Sequence, residues 1–270
     1  MTNSGRIDAE DEILKLYPPA DSHRPGWRAL IALAVLLVSC DVYCAHPLLT
    51  EDTPTQGAGK WELELGNTWS RHAGVHTFEF GPQLSYGLLE TLDLIARPTL
   101  LDIRVNDGDT MRARGVGDTT LDVKWRFLEA GAASVALLAG VAVPTGNVAR
   151  GLGTGNATAH GLVAATYVAA PLAFHANVGY AQNRAESERR NLYHASAAAV
   201  WSLSPRFRLL LADVALDTEP NAGRGRWQSA LRVGAIGVVR SGFDVDVGYQ
   251  VRLNRNGPTS VWLAGATMRW

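Results

Sequence analysis

From residue 60 to residue 270, apolar and polar side chains alternate along most of the chain. In residues 243–253, for example, valines and aromatic residues are separated by aspartate, glycine, glutamine and arginine. Residues 61–66, 77–86 and 118–127 follow the same pattern. Successive side chains of a β-strand point to opposite faces, so a period of two predicts strands with one apolar and one polar face.

The pattern predicts an all-β chain folded as a closed antiparallel transmembrane β-barrel with up-and-down topology over residues 60–270. A soluble β-sandwich also alternates, because one face of each sheet meets water. The barrel is favoured because the strands are about 10–12 residues long, as a tilted strand needs to cross a bilayer. Bacterial barrels have an even number of strands. We predict twelve, approximately 60–69, 75–86, 91–103, 117–128, 132–143, 158–169, 173–183, 191–203, 206–216, 227–238, 242–253 and 260–270.

The connections between these strands alternate in length. Every second one is a turn of a few residues, at 87–90, 129–131, 170–172, 204–205 and 240–241. Most of the others are longer and polar, at 104–116, 144–157, 184–190, 217–226 and 254–259, whereas 70–74 is short. Short turns at one rim and long loops at the other are typical of outer-membrane barrels, whose long loops face outward.

The final strand ends on an aromatic residue, Trp270, and its alternate positions back to Trp262 are apolar. This strand resembles the carboxyl-terminal signature of bacterial outer-membrane β-barrels. The resemblance implies a location in the bacterial outer membrane, contact with outer-membrane lipid, and recognition by the barrel-assembly machinery through the last strand.

The first 45 residues indicate export. Residues 29–39 form an apolar run of about 11 residues after His23, Arg24 and Arg28, too short to span a bilayer and typical of a secretory signal peptide. We therefore interpret 23–45 as a signal peptide cleaved after Cys44 or Ala45. Residues 1–22 are an acidic extension, which suggests a true start downstream of Met1, and 46–59 are a periplasmic segment. Residues 37–40 also match a lipoprotein box, which would lipidate Cys40 instead.

The composition of the chain excludes some classes of function. The 270 residues carry a formal net charge of −1, without the basic excess of a nucleic-acid binder. Both cysteines lie at the processing site, so the remaining chain has no disulfide or thiolate chemistry. The histidines show no ligand spacing, and we predict no metal site, cofactor or catalytic residue.

In a barrel of this kind the polar positions face the lumen. We predict that the lumen is lined by Glu62, Glu64, Glu79, Asp118, Asp122, Lys124, Arg126, Arg232, Asp244, Asp246 and Arg252. Since barrels of about 8 strands are filled and those of 16–18 hold a channel, twelve strands leave a polar conduit and an ion-paired, filled interior both open. Aromatic girdles are expected at the two membrane interfaces, from Trp61, Trp69, Trp125, Trp227, Trp262 and Trp270.

Two other motifs carry little chemistry. Residues 151–155 (GLGTG) resemble a phosphate-binding loop, but no helix or Lys-Ser/Thr pair follows, so we interpret them as a flexible outer loop. His194 and Ser196 share one face of a strand, as a base and nucleophile would. The sequence identifies no third orienting group for them.

Several segments resemble the bacterial outer-membrane family named for the meta-pathway of phenol degradation, whose members are often called transporters. They are 46–64 (HPLLTEDTPTQGAGKWELE), 117–127 (GDTTLDVKWRF), 144–146 (PTG) and 151–155. The resemblance covers 46–270 and implies a barrel of twelve or a similar number of strands, with hydrophobic or aromatic small molecules as cargo. It implies no enzyme of phenol breakdown.

These observations predict an outer-membrane channel or uptake barrel for small, including aromatic or hydrophobic, solutes. A structural surface barrel with a filled, non-conducting interior is the first alternative. A barrel hydrolase acting on outer-membrane lipid is the second.

Overall fold

The computed structural model describes residues 47–107, 109–185 and 188–270, which form a closed antiparallel β-barrel. The predicted extension 1–22, signal peptide 23–45 and cleavage positions Cys44 and Ala45 lie outside the described residues. The strands are β1 (Trp61–His72), β2 (Val75–Leu89), β3 (Leu92–Arg97), β4 (Leu100–Asp107), β5 (Asp109–Val116), β6 (Thr119–Ala130), β7 (Ala133–Val143), β8 (Thr158–Ala169), β9 (Leu172–Gln182), β10 (Asn191–Ser204), β11 (Phe207–Thr218), β12 (Trp227–Arg240), β13 (Phe243–Arg252) and β14 (Ser260–Arg269).

These strands make twelve barrel strands, as predicted. β2 pairs with β4 along its first half and with β3 along its second, so β3 and β4 are one barrel strand interrupted at Pro98 and Thr99. β5 and β6 likewise form one barrel strand, interrupted at Gly117 and Asp118. Proline cannot donate to a ladder, which accounts for the first break. β14 pairs with β1 and closes the barrel.

At β4 and β5 the barrel wall is longer than the sequence predicts. The prediction of a loop over 104–116 is wrong, because β4 and β5 continue there as a hairpin. The charged residues of β4 and β5 conceal a regular alternation in which Leu101, Ile103, Val105 and Ala113 are buried.

The wall has an apolar exterior and a polar interior. Along β6, Leu121, Val123 and Trp125 are exposed, whereas Asp122 and Lys124 between them are buried. Several other strands repeat this arrangement, whereas β4 and β5 bury the apolar residues Leu101, Ile103 and Val105 and expose Arg104 and Arg112. A closed sheet of this kind satisfies every backbone group within a bilayer and presents apolar side chains to lipid. Among the described residues, no helix is long and apolar enough to cross a membrane.

Candidate functional site: the barrel lumen

Residues 47–59, which precede β1, enter the barrel instead of leaving it. Thr50 and Thr53 are 0% exposed and Glu51 is 3% exposed, although these polar residues have no pattern typical of a core. Inward-facing side chains of many strands bind it. We call residues 47–56 the lumen segment.

The first residues of the lumen segment are held by Arg232 of β12, which is 2% exposed. Its Nη1 donates to the carbonyl oxygens of Pro47 and Leu48 at 3.0 and 2.9 Å. Its Nε and Nη2 donate to Oε1 of Gln250 at 3.1 and 2.7 Å, which fixes the guanidinium plane. The two peptide carbonyls therefore receive charge-assisted hydrogen bonds inside the barrel.

A pair of glycines makes room for Pro47. Gly234 and Gly248 face each other across β12 and β13. A Cβ at either position would lie 3.3 Å from the Pro47 ring, closer than an ordinary contact. Leu48 packs beside this point against Ala198, Val200 and Leu210 in a small apolar cluster.

The middle of the lumen segment is bound by Asp213 and Asn177. Asp213, 0% exposed, accepts from the backbone N–H groups of Leu49 and Thr50 and from Oγ1 of Thr50 at 2.6 Å. Asn177 makes a two-way contact with Glu51: its Oδ1 accepts from the backbone N–H at 2.6 Å, and its Nδ2 donates to the carbonyl at 2.8 Å. The wall thus pairs the backbone of a segment that has no strand partner.

Lys124 of β6 forms ion pairs with the acidic side chains of the lumen segment. Its Nζ lies 2.7 Å from Oε1 of Glu51 and 3.2 Å from Oδ1 of Asp52. Lys124 is 5% exposed and Glu51 is 3% exposed, so removing Lys124 would leave the Glu51 carboxylate buried without its cation.

The segment then descends to the rim that carries the short turns. Thr53 Oγ1 lies 2.5 Å from Oγ of Ser134, which is the second residue of β7. The backbone N–H of Gln56 donates to both carboxylate oxygens of Asp93, and its Nε2 donates to Glu62 at 2.7 Å. The segment thereby occupies the short-turn half of the lumen.

The long-loop half contains a cavity. The cavity and the solvent space that opens from it together have a volume of about 1700 Å³. Among the described residues of its wall, carboxylates outnumber guanidinium groups, and apolar side chains lie between them. The charged lining residues are Glu64, Glu79, Asp118, Glu188, Asp217, Arg97 and Arg232. Arg232 lines the cavity and also binds the lumen segment, so it marks the boundary between the two halves.

The loop 144–157 folds inward at the mouth of this cavity. Leu152, 1% exposed, packs with Val75, Leu101, Ile103 and other residues of the inner wall. Asp118 accepts from the backbone N–H groups of Gly146 and Thr154 at 2.9 and 2.8 Å. The GLGTG stretch is therefore a packed loop centred on Asp118, not the free loop that the sequence suggests.

Two further loops are joined at the mouth. Arg189 donates to the carbonyls of Glu219 and Asn221 at 2.7 and 2.6 Å, which ties loop 183–190 to loop 219–226. Burial raises the pKa of the Glu188 carboxyl, and nearby Glu219 raises it further, whereas the hydrogen bond from Asn183 lowers it. The mouth is thus a structured rim.

Ion pairs between inward-facing side chains join different strands of the inner wall. Oδ2 of Asp122 lies 3.1 Å from Arg97 Nη1, and its Oδ1 lies 2.5 Å from His160 Nε2. Arg269 lies 2.6 Å from Glu62 and 2.8 Å from Asp244. The arginine pairs join neighbouring strands, whereas the contact between His160 and Asp122 reaches across β7 at Gly140, where a side chain would block it.

The residues predicted to line the lumen fall into three groups. Glu64, Glu79, Asp118 and Arg232 line the cavity. Arg126 binds the carbonyl of Glu90 at the short-turn rim, and Arg252 binds the carbonyl of Arg255 at the long-loop rim. The others are buried on the inner wall outside the cavity lining: Glu62, Asp122, Lys124, Asp244 and Asp246.

The six tryptophans predicted for the girdles lie towards the two ends of the barrel. Trp69 and Trp262 are paired across β1 and β14 in the long-loop half and are 45% and 56% exposed. Trp227 begins β12 at the same end. Trp125 is also exposed, near the short-turn end. Trp61 and Trp270 exchange backbone hydrogen bonds of 3.0 and 3.1 Å at the short-turn rim.

His194 and Ser196 have a third partner that the sequence does not reveal. Nδ1 of His194 lies 2.6 Å from Oδ1 of Asp217, and Nε2 lies 3.0 Å from Oγ of Ser196. Asp217 is missed because it comes from β11, directly opposite His194 in the ladder. Ser196 is 8% exposed, and its Oγ also contacts Oδ1 of Asn177 at 3.4 Å. Asp217, His194, Ser196 and Asn177 therefore form a chain of contacts from the cavity wall to the lumen segment.

A closed barrel with an apolar exterior, aromatic ends and a polar interior defines a transmembrane β-barrel, and the protein is located in the bacterial outer membrane. A family model described as "Putative MetA-pathway of phenol degradation" matches residues 49–270. The chain belongs to this family.

Solved structures show the same fold. The COG4313 outer membrane channel from Pseudomonas putida F1 is 15% identical, with 81% of this chain and 98% of that chain covered and a TM-score of 0.66. The KdgM porin is 8% identical, with 77% and 98% covered and a TM-score of 0.51. A search of the curated proteins found no match.

Proposed function

We propose that the protein is an outer-membrane uptake channel for small solutes, and that solutes pass only when the lumen segment leaves its place. The observation that carries the proposal is the position of Arg232. This residue is at once a wall of the cavity and the anchor of Pro47 and Leu48. A solute that enters from the long-loop rim, which we place outside the cell, therefore reaches the segment next.

The chemistry of the cavity suits small hydroxylated aromatic solutes. Carboxylates such as Glu64, Glu79 and Asp217 accept hydrogen bonds from hydroxyl groups, and Leu101, Leu152 and Leu263 offer apolar surface. The description of the family names phenol degradation, which supports phenol-type solutes. The excess of carboxylates disfavours anions.

Planar-bilayer recording and solute uptake into liposomes test this function. We expect low conductance from the chain with residues 47–56 in place, and higher conductance and faster phenol uptake after their deletion. Pro54→Ala is the matched control, because the Pro54 side chain is exposed and the rest of the segment is kept. Absence of conductance and uptake in both forms would instead favour a structural barrel with a filled interior.

A lipid hydrolase has one observation in its favour, the contacts of His194 with Asp217 and Ser196. Two features weigh against it. Ser196 is buried on the inner wall, away from lipid, and residues 195–197 are paired with β9 on one side and β11 on the other. Their N–H groups are therefore committed to the ladder instead of to an oxyanion. A lipid-hydrolysing activity that Ser196→Ala abolishes would reverse this choice.

A further inference from the structure

The outer surface of β1, β2, β4 and β5 changes from apolar to cationic towards the long-loop rim. Trp69, Leu100 and Val116 are exposed apolar residues at the end of the lipid-facing belt. Two to four residues farther along the same strands and faces, the outward side chains are basic. The basic residues are Arg71, His76, Arg104, Arg112 and Arg114.

Strand register places four of these side chains in one row. Arg71 is opposite His76, His76 is opposite Arg104, and Arg104 is opposite Arg112. We call these four residues the basic row. Neighbouring strands lie about 4.8 Å apart, so the row is compact. Arg114 lies beside it, opposite Asp102.

The charge of this cluster is only partly balanced. Asp102 binds Arg112 in a bidentate pair, with Nε to Oδ1 at 2.8 Å, and its Oδ1 lies 3.5 Å from Nε of Arg104. Like charges directly opposite each other on adjacent strands are destabilising. Among the side chains that the structure describes, four arginines face one carboxylate, which leaves an excess of three positive charges that an external anion of more than one charge would relieve.

The position of the cluster selects the kind of anion. Arg71 and His76 of the basic row each lie two residues from an aromatic residue of the same strand, Trp69 on β1 and Phe78 on β2. Aromatic residues of this kind mark the membrane interface, so the basic row lies at the level of the lipid headgroups. Guanidinium groups match phosphate oxygens in bidentate geometry. An anion presented at headgroup level beside a barrel is a lipid phosphate.

We propose that Arg71, Arg104, Arg112 and Arg114 bind the two phosphate groups of a bisphosphorylated lipid headgroup, that of lipid A in the outer leaflet. The site is on the outside of the wall and is independent of the lumen. Its location in the outer leaflet rests on the orientation proposed above, with the long loops outside the cell, whereas the binding itself does not.

Binding of purified lipid A to the folded barrel in detergent, measured by native mass spectrometry, tests the site. The variant R71Q/R114Q is the sharpest probe, because neither side chain has an ion pair within the described residues and no carboxylate loses its partner. R206Q/R240Q is the matched control, since it removes two exposed arginines at the short-turn rim. Heat-modifiable migration on gels verifies that each variant is folded.

We expect the unaltered barrel to bind bisphosphorylated lipid A about tenfold more tightly than the monophosphorylated form, because each phosphate receives its own charge-assisted contacts. R71Q/R114Q should lose about tenfold in affinity for the bisphosphorylated form, and R206Q/R240Q should lose none. Equal losses in the two variants, or unchanged binding in R71Q/R114Q, would overturn the site. Inorganic pyrophosphate that competes at the affinity of lipid A would show a site for free phosphate and would overturn the lipid.

Discussion

The two halves of the barrel interior are built from the same residue types and differ in what those residues contact. In the short-turn half, Lys124, Asp213 and Asn177 bind side chains and backbone groups of the lumen segment. In the long-loop half, Glu64, Glu79 and Asp217 line an open cavity. A polar inner wall is therefore compatible with both a filled and an open lumen. What fills one half is a matched set of groups on a separate segment.

Replacing Lys124 should have the largest effect on stability and conductance, because Lys124 binds the lumen segment in the filled half. Lys124→Met leaves Glu51 buried without its cation, and breaking a buried ion pair costs about 3–5 kcal/mol. We expect the lumen segment to be displaced, with lower stability to urea and higher conductance. Both are measurable on the same purified barrel.

Lys60→Met is the control for this change, since Lys60 is exposed at the short-turn rim. Stability and conductance of Lys124→Met equal to those of the unaltered protein would show that the lumen segment is not held by this ion pair.

Replacing Leu152 should have a smaller effect, confined to the open half. Leu152→Ala removes the apolar anchor of loop 144–157, and a buried Leu→Ala change costs about 2–5 kcal/mol where the site cannot relax. The loop can detach from the wall, so we expect little change in the unfolding of the barrel and faster tryptic cleavage after Arg150. Val148→Ala is the matched control, because Val148 is 57% exposed. Cleavage of Leu152→Ala no faster than that of Val148→Ala would show that the loop is held at other points.

The barrel itself could be predicted because its wall obeys one local rule. Alternation along segments such as 243–253 reports which face each side chain takes, and Trp270 ends a strand that does pair with β1. The length of β4 and β5 could not be predicted as well. Their outward arginines read as loop residues until the buried partners Leu101, Ile103 and Val105 are known.

The lumen segment could not be predicted from its own residues. Thr50, Glu51 and Thr53 have no period and resemble a polar linker, and they are buried only because the wall that receives them is also polar. The available signal was indirect: a proline and two leucines at 47–49, and glycines at 234 and 248 in the middle of strands. Asp217 was missed for a related reason, since its contact with His194 depends on strand register.

A reversible cross-link tests most directly whether passage requires the lumen segment to move. Thr53 and Ser134 have Oγ atoms 2.5 Å apart, so cysteines at both positions are placed to form a disulfide between segment and wall. The chain is produced from residue 46 onward behind another leader, which removes Cys40 and Cys44. Conductance of T53C/S134C is recorded under oxidising conditions and again after reduction, with each single variant as a control. We predict that oxidation abolishes conductance and phenol uptake and that reduction restores both. Equal conductance in the two states, with the disulfide verified by mass spectrometry, would contradict it.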